Sequence, residues 1–189
     1  MQRQFFFLFF IGVGVGYVVS FNQIQELRST IISLGSLGNN IEVINNREYY
    51  HSVKADLENA NETILVAMYE MMYDVNDSSD WAKDLTQELV NAKQRGVNVT
   101  VIIEYRTYFG YEQDSIDAYQ YLLANGVNVR LDNDDTTDHM KLLIIDDEIV
   151  YVGSHNWSES ALYYSNETSV KIVSKEIVAI FNAYYETIT

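Results

Sequence analysis

One short stretch of this chain sets six residues at fixed intervals, in the pattern H-x-K-x4-D-x6-G-S-x-N. It combines an imidazole, a fixed cation, a small-residue turn and an amide donor. These are the groups that can hold and cleave a phosphodiester. Six defined positions at fixed spacing are far more specific than an isolated glycine pattern. The six residues are His139, Lys141, Asp146, Gly153, Ser154 and Asn156.

The local pattern around these residues predicts a β-hairpin. Residues 139–145 read as a strand, in which alternate side chains share a face. His139 and Lys141 therefore point the same way, about 7 Å apart along the chain. The two aspartates at 146–147 indicate a turn, and residues 148–152 read as the returning strand. The hairpin brings the glycine and serine that follow it back beside the imidazole.

The chain before and after the hairpin alternates predicted strands with predicted helices. This is typical of an α/β domain with a mixed β-sheet flanked by helices on both faces. The helix over 80–95 has apolar residues at spacings of three and four, with Asp80 as N-cap and Gly96 as its C-terminal stop. The other predicted strands are 41–44, 63–69, 97–104, 127–131 and 168–171, and the other helices are 48–59, 114–124 and 175–187.

The N-terminus carries a separate signal. Residues 5–21 contain no charge, and their length lies between a short membrane span and a long signal-peptide core. We therefore expect residues 1–21 to be a hydrophobic helix acting as a membrane anchor or a signal segment. Residues 22–40 read as a short helix and linker, and 41–189 as the catalytic domain. Arg3 before the span favours an extracytoplasmic domain on a single-pass anchor; the alternative is secretion after cleavage.

Charge limits the partners that this chain can bind. The formal net charge is −15, with 27 acidic residues against 12 lysines and arginines. Tight nonspecific binding of duplex nucleic acid depends on neutralising phosphates, which this balance disfavours. A local cationic cleft can still exist on an acidic protein. Cysteine is absent, which excludes disulfides and thiolate metal sites.

The six-residue pattern resembles the HKD signature of the phospholipase D superfamily. The resemblance covers residues 41–189, with its specific content in 139–167. It implies a phosphodiesterase of that fold that needs no metal and no cofactor. Glu167 stands where family members carry an acid hydrogen-bonded to the catalytic histidine. Such a carboxylate holds an imidazole in one tautomer and orientation.

The signature occurs once, although the reaction needs two proton-transferring groups. In-line displacement at phosphorus requires a nucleophile on one side and an acid on the other. His51 lies on a predicted helix and is interpreted as a surface or packing residue. His155 is interpreted as a rim or substrate-contact residue. A two-fold homodimer in which each subunit gives one His139 to a shared site solves the problem, as the resemblance to single-signature family members also implies.

These considerations give each signature residue a predicted role. One His139 attacks phosphorus, and the partner subunit's His139 protonates the leaving oxygen and later activates water. Lys141 and Asn156 hold the non-bridging oxygens, and Ser154 donates a further hydrogen bond. Asp146 belongs to the signature, but its place at the strand end indicates a structural role, fixing the hairpin or pairing with a backbone amide.

Three further residues are predicted to contact substrate. Gly153 permits close backbone approach, and His155 contacts substrate from the rim. Arg106 lies in an aromatic loop, residues 105–111, that can stack bases and grip a backbone. The same loop can equally be an ordinary aromatic segment packed on the dimer partner.

The resulting functional hypothesis is a membrane-anchored, metal-independent endonuclease acting on DNA or RNA, with single strands as the expected nucleic acid. The alternative is a phospholipase D-type hydrolase of phosphatidyl lipids such as cardiolipin, which an anchor and an acidic surface favour. A third possibility is a dimeric adaptor that binds a phosphate group without cleaving it. The intact set of His139, Lys141, Asn156 and Glu167 argues against an adaptor.

Overall fold

The apolar run that starts at Lys141 forms a central strand of a seven-stranded sheet in the computed structural model of the chain. The structure describes residues 40–74, 80–105, 112–132 and 136–188. The hydrophobic helix predicted over residues 1–21 and the linker over 22–40, apart from Asn40, lie outside the described residues. No helix among the described residues is both long and apolar enough to cross a membrane.

Strands and helices alternate along the described part of the chain. The strands are β1 (Ile41–Asn45), β2 (Thr63–Met68), β3 (Asn98–Glu104), β4 (Asn128–Asp132), β5 (Lys141–Ile145), β6 (Ile149–Gly153) and β7 (Thr168–Val173). The helices are α1 (Glu48–Asn59), α2 (Trp81–Arg95), α3 (Glu112–Ala124) and α4 (Lys175–Tyr185), with a short π-helix at Ser160–Tyr164.

The sheet is mixed, as the sequence predicts. Its order is β1-β7-β6-β5-β2-β3-β4. Strands β2, β3 and β4 are parallel, and the other neighbouring pairs are antiparallel. One edge of the sheet therefore collects the carboxyl ends of some strands and the amino ends of others. We call this the site edge; it is formed by Asn45, Met68, Glu104, Asp132, Lys141, Gly153 and Thr168.

Helices cover both faces of the sheet, because alternate residues of each strand pack into different cores. In β5, Leu143 and Ile145 join the larger core, which also contains buried residues of α1, α2 and α3. Leu142 and Ile144 join a smaller core with Val178 of α4. Strands buried on both faces read as continuous apolar runs, which explains why β5 is buried along its whole length.

Local signals set two boundaries as predicted. The side chain of Asp80 accepts a hydrogen bond from the N–H of Ala82 at 2.8 Å, and Gly96 ends α2 with φ 99°. Asp146 and Asp147 form the hairpin turn with φ 53° and 51°, the left-handed pair that short hairpins favour. The strand predicted from residue 139 instead starts at Lys141.

Candidate active site

His139 and Lys141 lie side by side at the site edge. His139 precedes β5 because its N–H donates within the loop, to the carbonyl oxygen of Thr137 at 3.1 Å. The ammonium nitrogen of Lys141 lies 3.3 Å from Nε2 and 3.4 Å from Nδ1 of His139, and donates to the His139 carbonyl oxygen at 3.2 Å. An imidazole and a cation therefore lie close enough together to contact one phosphate group.

The ring of Tyr69 supports both groups. Tyr69 follows β2, and its N–H donates to the carbonyl oxygen of Met140 at 2.8 Å. Its ring centre is 4.3 Å from that of His139 and 4.6 Å from the ammonium of Lys141. At this distance the ammonium of Lys141 makes a cation–π contact with the ring of Tyr69. The sequence offered no signal for this contact beyond the position of Tyr69 at the end of an apolar strand.

Lys141 is a buried cation, with 7% of its surface exposed. Burial lowers the pKa of its ammonium, because removal from water disfavours the charged form, while the carboxylates of Glu70 and Glu167 act in the opposite direction. The charge of this lysine is thus supported by acids from two segments, one after β2 and one before β7.

Ser154 and Glu167 form a second part of the site. The hydroxyl of Ser154 donates to the carboxylate of Glu167. The same hydroxyl accepts from the N–H of Thr168 at 3.1 Å, and the N–H of Ser154 donates to the Thr168 carbonyl oxygen at 3.0 Å. Among the described residues no hydrogen bond joins Glu167 to His139. The hydrogen bond by which Glu167 was predicted to orient His139 is therefore not formed within one chain.

Gly153 is required by the neighbouring strand. A Cβ atom at this position would lie 2.2 Å from Oγ and 2.4 Å from Cα of Ser169, and 2.5 Å from the carbonyl oxygen of Thr168. Close backbone approach was predicted for Gly153, but the backbone that approaches is β7. Absence of a side chain lets β6 and β7 pair at the point where Ser154 leaves the sheet.

Asn156 is held beside the segment that follows β2. The next residue, Trp157, is fully buried, and its N–H donates to the carbonyl oxygen of Glu70 at 3.0 Å while its own carbonyl accepts from Met72 at 2.7 Å. The side-chain oxygen of Asn156 is buried and has no hydrogen-bond partner among the described residues. A buried acceptor without a donor costs about 1–3 kcal/mol, so it needs an explanation.

His155 does not face a substrate, and this prediction is corrected. Its side chain is fully buried and stacks on Tyr49, with ring centres 4.3 Å apart. Nδ1 lies 2.7 Å from Oγ of Ser169, and Nε2 lies 3.0 Å from the carbonyl oxygen of Asn46. A carbonyl can only accept, so Nε2 carries the proton. Burial lowers the pKa of this imidazole. His155 points inward because side chains alternate after β6.

Asp146 lies at the opposite edge of the sheet from His139. Its carboxylate accepts hydrogen bonds from the N–H groups of three successive residues, Asn61, Glu62 and Thr63, at 2.8–3.2 Å. These bonds tie the hairpin turn to the start of β2. The position identifies Asp146 as a residue that fixes the hairpin and does not reach the reacting atoms.

Arg106 and His51 are the remaining residues for which the sequence made a prediction. Arg106, predicted to bind substrate, lies outside the described residues, as does the rest of its loop beyond Tyr105. His51 is exposed on α1, and its ring packs at 5.5 Å against Trp81. It is a surface residue, as the sequence predicted.

Three carboxylates form an acidic group that sequence reasoning missed. Ligand oxygens of Glu104, Asp132 and Asp138 lie within 4.8 Å of one another at the site edge, and the N–H of Asp138 donates to Glu104 at 2.9 Å. Oxygen ligands of this kind suit Mg²⁺ or Ca²⁺, although acidic groups are common where no ion binds. The signal in the sequence is the acid at the end of β3 and of β4.

Asn46 is the other residue that the sequence did not reveal. Its side-chain oxygen accepts from the N–H of Glu167 at 3.0 Å, and its N–H donates to the Glu167 carbonyl oxygen at 2.9 Å. Its own carbonyl oxygen accepts a hydrogen bond from Nε2 of His155. Asn46 adopts φ 52°, which asparagine tolerates better than most residues. It therefore fixes the acidic side of the site from β1.

The fold of this chain is similar to the folds of several solved structures. The structure of Nuc from Salmonella typhimurium, described as a phospholipase D family member, matches with a TM-score of 0.67 and 25% identity, covering 78% of this chain and 92% of that one. NucT from Helicobacter pylori matches at TM-score 0.59 and 20% identity, covering 78% and 95%. Phosphatidylserine synthase from Haemophilus influenzae matches at 0.57 and 13%, covering 77% and 37%.

No curated protein matches the sequence. The family model described as the phospholipase D-like domain of cardiolipin synthase matches residues 53–189, which is more than half of the chain. Together with the paired His139 and Lys141 at the site edge, this match shows that the chain belongs to the phospholipase D superfamily.

Proposed function

We propose that the protein is a metal-independent endonuclease that cleaves DNA or RNA in a homodimeric active site. The contact between the ammonium of Lys141 and both ring nitrogens of His139, at 3.3 and 3.4 Å, carries this proposal. An imidazole in this position can form a bond to phosphorus. The ammonium beside it stabilises the charge on the non-bridging oxygens, a task that a metal ion performs in other phosphodiesterases.

The proposed reaction has two displacement steps. A ring nitrogen of one His139 forms a bond to phosphorus as the bond to the leaving oxygen breaks, and the partner subunit's His139 supplies the proton to that oxygen. Water then attacks the phosphohistidine and gives up a proton to the partner's His139. The P–N bond breaks, both imidazoles return to their starting states, and the phosphate monoester leaves.

Two features of the single chain support a dimer. It contributes one His139 to the site, whereas the reaction needs a nucleophile and an acid. The carboxylate of Glu167 is bonded to Ser154 and not to an imidazole of its own chain. A second subunit can supply the acid for the reaction and an imidazole partner for Glu167.

The groups around the described site favour a nucleic acid over a lipid as substrate. The likeness to Nuc also extends over 92% of that chain, against 37% of phosphatidylserine synthase. The surroundings of the described site are aromatic and polar, with Tyr69 against the ring of His139 and the charge of Glu167 acting on Lys141. Such surroundings suit a nucleotide better than acyl chains.

The second candidate is hydrolysis of phosphatidyl lipids such as cardiolipin. The specific observation in its favour is the matching family model, which is described as the phospholipase D-like domain of cardiolipin synthase. The chemistry at phosphorus is the same in both cases, so the two functions differ only in what surrounds the scissile ester.

The test compares three substrates with the full chain: single-stranded DNA, RNA and cardiolipin vesicles. We expect cleavage of a nucleic acid, loss of cleavage in His139→Ala, and full activity with a chelator present. Leu123→Ala, which truncates a side chain that is 52% exposed near the end of α3, is the control and should behave as the parent. Cleavage that survives His139→Ala, or that the chelator abolishes, would falsify the scheme.

Other outcomes separate the alternatives. Cleavage of cardiolipin without cleavage of either nucleic acid selects the lipid function. Binding of nucleic acid without cleavage of any substrate selects the adaptor.

For residues 1–21 we retain the proposal of a membrane anchor with an extracytoplasmic domain, or a cleaved signal. N-terminal sequencing of the cell-associated protein, followed by alkaline extraction of membranes, distinguishes the two.

A further inference from the structure

Five side chains beside the active site form a connected surface, which we call the rim aromatic cluster. The rings of Tyr50 and Trp81 are stacked, with centres 4.3 Å apart. Tyr163 meets Trp81 edge-on at 5.1 Å and Tyr164 edge-on at 5.0 Å. The guanidinium of Arg47 lies 4.5 Å from the ring centre of Tyr163. None of these residues belongs to the phospholipase D signature or to the proposed chemistry.

The cluster lies at the same edge of the sheet as His139. Arg47 follows Asn46, whose side chain accepts the N–H of Glu167 at 3.0 Å. Trp81 is the first residue of α2, which returns from the carboxyl end of β2. Tyr163 belongs to the π-helix that follows the carboxyl end of β6. The cluster is thus joined through Arg47 and Asn46 to the segment that carries Glu167.

Two of the rings are presented to solvent on a fixed support. Tyr164 is 70% exposed and Tyr163 is 42% exposed, whereas large apolar side chains are usually buried. Nε of Arg47 donates to the carbonyl oxygen of Tyr163 at 3.1 Å. The π-turn is closed by the N–H of Ser165, which donates to the carbonyl oxygen of Ser160 at 2.7 Å. π-helical turns are rare in proteins, but a large share of those that occur lie at functional sites.

We propose that the rim aromatic cluster binds the unpaired bases of single-stranded nucleic acid and delivers the adjoining phosphate to His139. Bases stack on tyrosine and tryptophan without sequence preference, because every base has a π-face. In a duplex these faces are covered by neighbouring base pairs. The inference rests on the proposed nuclease function and specifies the form of its substrate.

The charge of the chain supports stacking as the main source of affinity. With a net charge of −15, neutralisation of phosphates contributes little, and Arg47 is the one cation among the five cluster residues. Binding should therefore depend weakly on salt. A protein with 6–10 phosphate contacts loses about 10³–10⁵ in affinity between 50 and 200 mM salt, and we expect a loss below about tenfold.

The experiment measures binding of the full chain to a 20-nucleotide oligothymidylate and to an abasic oligomer of equal length and charge. Variants are Tyr163→Ala/Tyr164→Ala, the ring-preserving Tyr163→Phe/Tyr164→Phe, and the control Leu123→Ala. Leu123 is 52% exposed near the end of α3, away from the site edge. Hydrolysis of bis(p-nitrophenyl) phosphate, a diester without bases, reports the chemistry separately.

The alanine pair should weaken oligothymidylate binding by about tenfold or more, since each stacked base is worth at least about fivefold. The phenylalanine pair and Leu123→Ala should bind as the parent does, the abasic oligomer should bind weakly to all, and diester hydrolysis should be unchanged. Equal binding by the alanine pair and the parent overturns the inference. So does a parallel loss of diester hydrolysis by the alanine pair. If the parent hydrolyses no diester, the proposed chemistry fails while the binding results still decide the role of the cluster.

Discussion

The ammonium of Lys141 lies 4.6 Å from the ring centre of Tyr69, in a position where water is largely excluded. A cation over an aromatic face gains about 2 kcal/mol when it is desolvated, which offsets part of the cost of burying the lysine. Since the ring of His139 packs 4.3 Å from the same tyrosine, one side chain fixes the spacing between the imidazole and the ammonium. Tyr69 is therefore a positioning residue.

Replacement of this ring should impair the chemistry in a way that the conservative variant rescues. We expect Tyr69→Leu to reduce kcat by about tenfold or more, because the cation–π contact worth about 2 kcal/mol is lost, while Tyr69→Phe keeps most of the activity. The leucine variant should also lose activity at a lower pH, since the charged lysine is less stabilised. Rate–pH profiles of both variants measure this. Equal losses in both variants would exclude a role for the ring.

The pH dependence of activity should have an alkaline limit set by Lys141. Burial lowers the pKa of this ammonium from its ordinary value of 10.5, and only the protonated form can stabilise phosphate charge. Activity should therefore fall as pH rises through a value below 10.5. Lys141→Arg keeps its charge at every accessible pH, so its activity, although lower because the fit to the site changes, should lack this limit. An unchanged alkaline limit in the arginine variant would assign it to another group.

Mixed dimers should show whether two histidines share one site. Wild-type and His139→Ala chains with different affinity tags can be co-expressed, and the heterodimer purified through both tags. Because the proposed reaction takes its nucleophile and its acid from different chains, we expect the heterodimer to be inactive. Half of the wild-type activity in the heterodimer would mean that each chain works alone, and a single-chain mass in solution would contradict the dimer directly.

Short-range signals in the sequence were sufficient to predict the elements that present the site. The N-cap at Asp80, the stop at Gly96 and the turn at Asp146 depend on neighbouring residues, so each could be read from a few letters. The mixed sheet with helices on both faces followed from the alternation of strands and helices. Fixed spacing also placed His139 beside Lys141, although the strand begins two residues later than predicted because the His139 N–H is used in a loop turn.

Contacts between distant segments could not be read in the same way. Tyr69 reaches His139 from the segment that follows β2, and Asn46 reaches Glu167 across 121 positions of the chain. Neither partner has a fixed spacing that a motif could record. His155 was placed near substrate because it stands inside the signature, but the alternation of side chains beyond β6 directs it to the core. Burial, and not proximity in sequence, decides its role.

Asp146 should matter for stability and not for chemistry. Loss of its carboxylate leaves the N–H groups of Asn61, Glu62 and Thr63 without their acceptor, and hydrogen bonds to charged groups contribute about 1.5–3 kcal/mol. We expect Asp146→Ala to lower the free energy of unfolding by about 2–4 kcal/mol, measured by urea denaturation. Asp146→Asn tolerates the positive φ and keeps one acceptor, so its cost should be smaller. The specific activity of either folded variant should match the parent; a selective loss of kcat would return Asp146 to the catalytic set.

His155 should make the fold sensitive to mild acid. Burial lowers the pKa of its imidazole below the ordinary value of 6.5, although the carbonyl of Asn46 and the charge of Glu167 partly oppose this shift. The unfolded chain therefore binds a proton that the folded chain does not, so stability is full above about pH 6.5 and falls as pH decreases through the folded-state pKa. Urea midpoints measured from pH 8 to pH 5 should show this fall in the parent. His155→Gln cannot titrate, so it should be less stable at pH 8, because Ser169 and Asn46 lose well-placed partners, but should show a flatter pH dependence. An equally steep dependence in the glutamine variant would assign the titration to another group.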